Sequence, residues 1–236
     1  MELRRFYISK EAIQGDTAIV QGEEYRHITG VLRFRVGYQL ILCDGSGRDF
    51  YCTVTSIDAH RVVCHVDRVE NNLSELSYDL TLAMSCIKQD KLEFAIQKAV
   101  EIGVKRIILY QSRYTVEKDV RSDRIERIVK EACKQCGRAI LPEIIVCQDI
   151  PSMLANAKGD VYLAYERADV SSLLCNVFNK AGGYTVVIGP EGGFEESEVA
   201  AMQSHDVSTF SLGARILRAE TAAIVALGDI VCLGGE

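Results

Sequence analysis

Apolar and polar positions follow two different rhythms along this chain. In the first seventy or so residues the apolar positions come as short runs and alternations between turn formers. Gln39 to Cys43 and Asp49 to Ile57 flank Asp44-Gly45-Ser46-Gly47, and Arg61 to Val69 repeats the pattern. Runs of this length bounded by Gly, Asp and Ser predict strands joined by tight turns. With one helix predicted over Gly22 to Leu32, the segment reads as a small β-barrel-like module. Glu70 to Ser77, polar and holding two asparagines, is the predicted linker, which divides the chain into domains 1–72 and 73–236.

From Leu80 the rhythm becomes strand, helix, strand. Leu80 to Cys86 is an apolar strand. Lys91 to Ile102 sets Leu92, Ala95, Ile96, Ala99 and Val100 on one helical face, and Gly103 supplies the stop before a strand over Val104 to Tyr110. Asp123 to Cys136 is the clearest helix: Ile125, Ile128, Val129, Ala132, Cys133 and Cys136 form one stripe, Asp123 with Glu126 reads as a capping box, and Gly137 ends it. Strands over Asp160 to Tyr165, Tyr184 to Ile188 and Val207 to Leu212 follow, with helices over Glu196 to Ser204 and Arg218 to Leu233. Strands alternating with helices predict an α/β domain with a largely parallel sheet.

Composition adds constraints rather than an answer. No apolar run approaches a membrane span, and the N-terminal residues lack the apolar core of a signal peptide. Nine cysteines, an odd number without a framework, point to a reducing cytoplasmic setting. The net charge of −6 argues against a nucleic-acid binder taken globally, yet it is unevenly spread. Residues 86 to 140 carry 13 Lys and Arg against 8 Asp and Glu, whereas residues 141 to 236 carry 5 against 13. Either a basic surface on an acidic body or ordinary solvated helix faces would give this distribution.

Several chemistries find no support. Cys133 and Cys136 have CxxC spacing, but no second pair accompanies them and both fall on the apolar stripe, which favours packing over metal or redox use. The four histidines make no ligand pair, so no metal is expected, and neither a P-loop nor a GxGxxG dinucleotide fingerprint is present. What remains is Ile188-Gly189-Pro190-Glu191-Gly192-Gly193-Phe194 at one strand end and Ser211-Leu212-Gly213 at the next, with Ile216-Leu217-Arg218-Ala219-Glu220-Thr221-Ala222 opening the last helix. Glycine loops at successive strand ends are what an open α/β sheet uses to form a ligand crevice. Neither loop holds a lysine, which disfavours a polyphosphate; backbone amides and apolar side chains would suit an adenine ring.

These two loops resemble the signature loops of the RsmE family, the bacterial 16S rRNA (uracil-N3)-methyltransferases of the SPOUT class. Collinear weaker matches extend the resemblance over nearly the whole chain: Arg5-Phe6, His27 with Val31-Leu32-Arg33, Gly37, Asp44-Gly45, Lys91, Glu93-Phe94, Ile96-Gln97-Lys98, Glu101, Gly103-Val104, Arg113 and Gln135-Cys136-Gly137-Arg138. The chain departs from the family at Ser112 and Tyr114, where an acidic residue and a serine are usual, at Lys134 for Glu and at Ala214 for Pro.

The resemblance implies a PUA-like barrel followed by an α/β domain whose C-terminal part is threaded into a trefoil knot, a topology no periodicity could reveal. It implies S-adenosylmethionine as cofactor, held by Leu163, Tyr165, Ile188, Gly189, Pro190, Glu191, Gly192, Gly193, Ser211, Leu212, Gly213, Ile216 and Leu217, with Thr221 and Ala222 beneath. The implied reaction is methylation of uracil N3 in 16S rRNA within the small ribosomal subunit, by a cytoplasmic homodimer. Arg218 is the expected electrostatic residue, or else a salt-bridge partner of Glu220 or Glu191; Glu166, Glu191 and Glu220 are the available bases. Arg5, His27, Arg33, Arg113 and Arg138 are the expected RNA contacts. A methyltransferase of the same fold acting on another RNA, a non-catalytic RNA- or cofactor-binding relative and a nucleotide-using oxidoreductase stay as alternatives, the last disfavoured by the missing dinucleotide fingerprint.

Overall fold

The computed structural model describes residues 3–116, 120–180 and 182–235. The chain divides into two units, Met1–Glu75 with Cys133–Leu141, and Leu76–Ala132 with Pro142–Glu236. In the first unit, β1 (Arg5–Tyr7), β2 (Ile13–Gln14), β3 (Thr17–Val20), β4 (Gln39–Cys43), β5 (Arg48–Ile57) and β6 (Val62–Asn71) form a sheet in the order β1-β4-β5-β6-β3-β2. Only β1 and β4 pair in parallel. The two breaks in register between β5 and β6 are bulges of the kind that bend a sheet toward closure. Alternate side chains of these strands bury Phe6, Leu40, Leu42, Val54 and Val62, with Ile28 added from the intervening helical segment. That segment is not the single helix expected: α1 (Gly22–Arg26) passes into a wider π-turn over His27–Val31.

The linker expectation also changes, because Glu70 and Asn71 still belong to β6. Asn72 then donates from Nδ2 to both Asp49 (3.0 Å) and the Gly137 carbonyl (2.9 Å). The late segment Cys133–Leu141 joins this unit through such bonds. Tyr7 donates its hydroxyl to the Arg138 carbonyl at 2.6 Å, and the Arg138 guanidinium meets Glu75 through two parallel bonds, at 3.0 and 2.7 Å. Arg5 makes a comparable fork with Asp49.

The second unit has β7 (Asp79–Ser85), α2 (Gln89–Ile102), β8 (Arg106–Tyr110), α3 (Ser122–Cys136, its last four residues counted with the first unit) and β9 (Glu143–Val146). There follow α4 (Ile150–Asn156), β10 (Asp160–Ala164), α5 (Leu174–Val177), β11 (Gly183–Ile188), α6 (Glu196–Gln203), β12 (Ser208–Phe210) and α7 (Ala219–Gly234). Six strands pair in parallel in the order β12-β10-β11-β7-β8-β9. Every residue of β11, and every residue of β7 after Asp79, is buried, as expected of central parallel strands covered on both faces. The five apolar residues predicted for one face of α2 are all buried, and Gly103 ends that helix in the left-handed region at φ 109°. Asp123 is not the cap of α3. The helix begins one residue earlier, and the Arg121 carbonyl accepts the first bonds, from Arg124 and Ile125. The chain passes from β10 to its neighbour β11 and then returns across β10 to place β12 on its other side, and a crevice opens beyond the strands' C-terminal ends.

Candidate cofactor cleft

The crevice is a cleft of about 650 Å³, within the range of small-molecule sites. Its walls come from the segments that follow β10, β11 and β12. The loop after β11 is set from below: Tyr110, fully buried at the end of β8, donates its hydroxyl to the Ile188 carbonyl at 2.9 Å. Burial also pushes the Tyr110 hydroxyl well above its usual pKa, so it stays a donor.

Close packing then explains the glycines. A Cβ on Gly189 would stand 2.6 Å from the Phe194 ring, which is itself buried in the cleft wall. Gly193 adopts φ 72° with its N–H donating to the Pro190 carbonyl at 3.0 Å, and a Cβ there would meet the Glu166 carboxylate at 2.6 Å. At Gly189 a side chain must displace the buried ring, and at Gly193 the positive φ itself disfavours any residue with a Cβ. In the loop after β12, Gly213 sits at φ 98° and donates to Ser211 Oγ at 3.1 Å, and Ser211 pairs with Leu173 as an isolated bridge.

Of the residues expected to hold the cofactor, Tyr165, Ile188, Gly189, Pro190, Glu191, Gly193, Ser211, Leu212, Gly213, Ile216, Leu217 and Ala222 line this cleft. Three do not. Leu163 is buried in the core beneath β10, because the inward side of that strand faces the sheet's helical cover. Thr221 points to solvent one position along α7 from Ala222. Gly192 is not in the lining, and a Cβ there would meet Tyr114 Cβ at 2.9 Å, so close packing against Tyr114 accounts for its smallness. Phe194 and Arg215, which belong to the two glycine-loop segments singled out in the sequence, line the cleft as well, and Lys88, Lys91 and Val116 join them without having been expected there.

Arg218 lines the cleft as the residue preceding α7. The salt bridges considered for it do not form. Glu220 faces Lys91 instead, at 3.9 Å, and Glu191 accepts the Lys88 backbone N–H at 3.2 Å. Among the described residues, no carboxylate lies within ion-pair distance of Arg218.

The five expected RNA contacts separate into two groups. Arg5 and Arg138 are corrected to structural residues. Their side chains are buried, and each guanidinium is spent on a carboxylate, Asp49 and Glu75 respectively. Burial opposes their charge, but hydrogen bonds to those carboxylates outweigh it and raise both pKa values. His27 is half-buried with its ring edge-on to Phe6. Arg33 and Arg113 are exposed. Arg33 stands in the left-handed region at φ 53°, a conformation that costs a non-glycine residue roughly 1–2 kcal/mol. The paired cysteines are consistent with packing: Cys133 is buried in the helix stripe, and burial pushes its thiol up to about 12.

Comparison with known proteins accords with this geometry. Residues 74–231 match the model of an RNA methyltransferase domain, and residues 20–67 match an RNA methyltransferase PUA domain. Ribosomal RNA small subunit methyltransferase E of Bacillus subtilis is 32% identical over 245 residues, covering 97% of this chain and 96% of the relative. The protein of the same name from Rickettsia conorii is 30% identical, covering 100% and 98%. Among solved structures, ribosomal RNA small subunit methyltransferase E of Neisseria gonorrhoeae, bound to S-adenosyl methionine, superposes with a TM-score of 0.89 at 27% identity and 98% coverage of both chains. Matched in both segments by these models and end to end by these relatives, the chain belongs to the ribosomal RNA small subunit methyltransferase E family.

Proposed function

We propose that this protein is an S-adenosylmethionine-dependent methyltransferase acting on N3 of a uridine in 16S rRNA. The observation that carries the reading is the cleft at the strand ends, built from glycine loops in a chain of this family. The cleft suits that cofactor. Ile188, Phe194, Leu212 and Leu217 offer an apolar wall for adenine, and backbone groups are open where Gly213 leaves space with no atom within 4 Å of its absent side chain. Charges of both signs border it, Glu166, Glu191 and Glu220 with Lys88, Lys91, Arg215 and Arg218. When bound, the cofactor supplies an electrophilic methyl group. The protein's own contribution is alignment, which in well-ordered systems is worth about 7–11 kcal/mol. Arg218, without an ion pair among the described residues, is suited to stabilise charge that develops on a uracil oxygen as N3 loses its proton. The trefoil threading of the C-terminal loops and action in the cytoplasm belong to the same reading. Among the described residues, no helix is long and apolar enough to cross a membrane.

The deciding experiment incubates the protein with methyl-labelled cofactor and either free 16S rRNA or assembled small subunits lacking the modification, then identifies the labelled nucleoside by mass. N3-methyluridine is expected in at least one arm; label in any other nucleoside, or in none, would refute the assignment.

Arg33 and Arg113 are the proposed RNA contacts, supported by their exposure. Arg33→Ala should lower the log–log salt slope of rRNA binding by about one unit and leave cofactor affinity unchanged. An unaltered slope removes Arg33 from the interface. We also propose a homodimer formed through α7, where Val225, Gly228, Asp229 and Cys232 are exposed at helical spacing in an otherwise apolar helix. Light scattering should return twice the 26.2 kDa chain mass; a monomer at working concentration contradicts the proposal.

A further inference from the structure

Methyl transfer to N3 leaves one chemical requirement unassigned, the destination of the N3 proton. Uracil presents an imide edge, an N–H flanked by two carbonyl oxygens, and N3 becomes a nucleophile only as that proton departs. Three carboxylates border the cleft and differ in how they are held. Glu166 is exposed and lies against Gly193. Glu191 is exposed and is occupied by the Lys88 backbone N–H. Glu220 is different: its side chain is 10% exposed, and it lines the cleft from the first turn of α7. Among the described residues its carboxylate accepts no hydrogen bond. Its nearest cation, the Lys91 ammonium, stands at 3.9 Å, too far for one. A first-turn position accounts for an acidic residue there, and neither carboxylate oxygen is sealed away from the cleft it lines. A donor on a ligand in the cleft therefore meets an acceptor that no described residue already occupies.

We propose that Glu220 is the catalytic residue that accepts the N3 proton of the target uracil, with Arg218 facing a carbonyl oxygen of the same imide edge. The proposal rests on the functional reading above. As the N3–H bond breaks, the proton passes to the Glu220 carboxylate. The N3 electron pair bonds to the methyl carbon, and the electrons of the carbon–sulfur bond leave with the neutral thioether. The same placement gives base selectivity. A carboxylate welcomes the N–H of uracil and repels the bare N3 lone pair of cytosine. The other charged groups around the cleft are Lys88 and Lys91 near α2, Glu166 and Glu191 on the loops, and Arg215 and Arg218 before α7.

The test compares the parent enzyme with Glu220→Gln and Glu220→Asp. Calorimetry with S-adenosylmethionine should give affinities within about threefold of one another. At pH 7 the single-turnover rate of Glu220→Gln should fall by about 10²–10³-fold, the usual worth of a positioned base. It should then climb with pH toward 9, where hydroxide takes over the proton. Glu220→Asp, which keeps the carboxylate one methylene short, should be slowed less and retain the parent's pH profile; it also serves if the Gln variant folds poorly. Without any turnover, binding of a 16S fragment bearing uridine at the target should exceed binding of the cytidine-substituted fragment for the parent, and that preference should shrink for Glu220→Gln. A Glu220→Gln enzyme with the parent's rate and pH profile overturns the assignment alone, as does a loss traced wholly to cofactor affinity. A parent enzyme that methylates some position other than uracil N3 overturns the functional reading and this assignment with it.

Discussion

A Gly189→Val enzyme is expected to bind S-adenosylmethionine at least about 100-fold more weakly than the parent, equivalent to about 2.7 kcal/mol. The reason lies in the wall rather than in the ligand's own space. The Gly189 backbone is set by β11, whose six residues are buried between neighbouring parallel strands, and by the Tyr110 hydroxyl bond to Ile188. It has little freedom to retreat. A Cβ placed 2.6 Å from the Phe194 ring must push that ring, and the branched methyls of valine push it further, into the cleft it lines. Gly189→Ala should show an intermediate loss. Gly192→Val should cost cofactor affinity less, because the group it strikes is Tyr114, a half-exposed side chain outside the cleft lining. Calorimetry on variants with parent-like circular dichroism checks the order; equal affinity for Gly189→Val and the parent would take the loop out of the cofactor site.

The largest effect on stability is expected at Arg138. Its replacement by alanine should cost about 3–5 kcal/mol, the usual consequence of removing one member of a buried pair and stranding the other. Arg138 is 2% exposed and binds Glu75 through both arms of its fork, and Glu75 is largely buried as well. The loss would be felt locally, since the Arg138 carbonyl anchors Tyr7 and the neighbouring Gly137 carbonyl anchors Asn72. Lysine at 138 keeps the charge but not the planar fork, so Arg138→Lys should recover only part of the loss. Urea unfolding measures both. An Arg138→Ala protein as stable as the parent would mean that Glu75 relaxes to solvent at no cost, and would return Arg138 to the pool of available cations.

Local order was legible in the sequence wherever one physical signal dominated. The α2 face, the stop at Gly103 and the runs of β7 and β11 follow from apolar periodicity and glycine chemistry, which act over a few residues and leave their mark on the chain itself. The glycine loops were legible for the same reason: a backbone that must pass within van der Waals distance of a ring or a carboxylate excludes side chains, whatever the surroundings. Shorter elements escaped. β1, β2, β9 and α4 are stretches of two to seven residues, too short for periodicity to separate from loop, and they exist because a neighbour pairs with or covers them.

The roles of the charged residues were decided by tertiary structure alone. Arg5, Arg33 and Arg138 are the same side chain in three positions of one family-like pattern, and sequence offered no reason to treat them differently. Asp49 lies 44 residues from Arg5, and Glu75 lies 63 from Arg138. Only folding brings each pair together, and burial then makes the pairing obligatory, while Arg33 is left in solvent on a strained turn. Glu166, Glu191 and Glu220 were likewise equivalent as letters. What separates them is burial, Glu220 being the one of the three that is not exposed, a property of the assembled sheet ends. Sequence alone determined where the chain must bend closely and which faces must be buried, because those demands are local. Which charges are free to do chemistry depended on contacts distant in sequence, and the tertiary structure decided it.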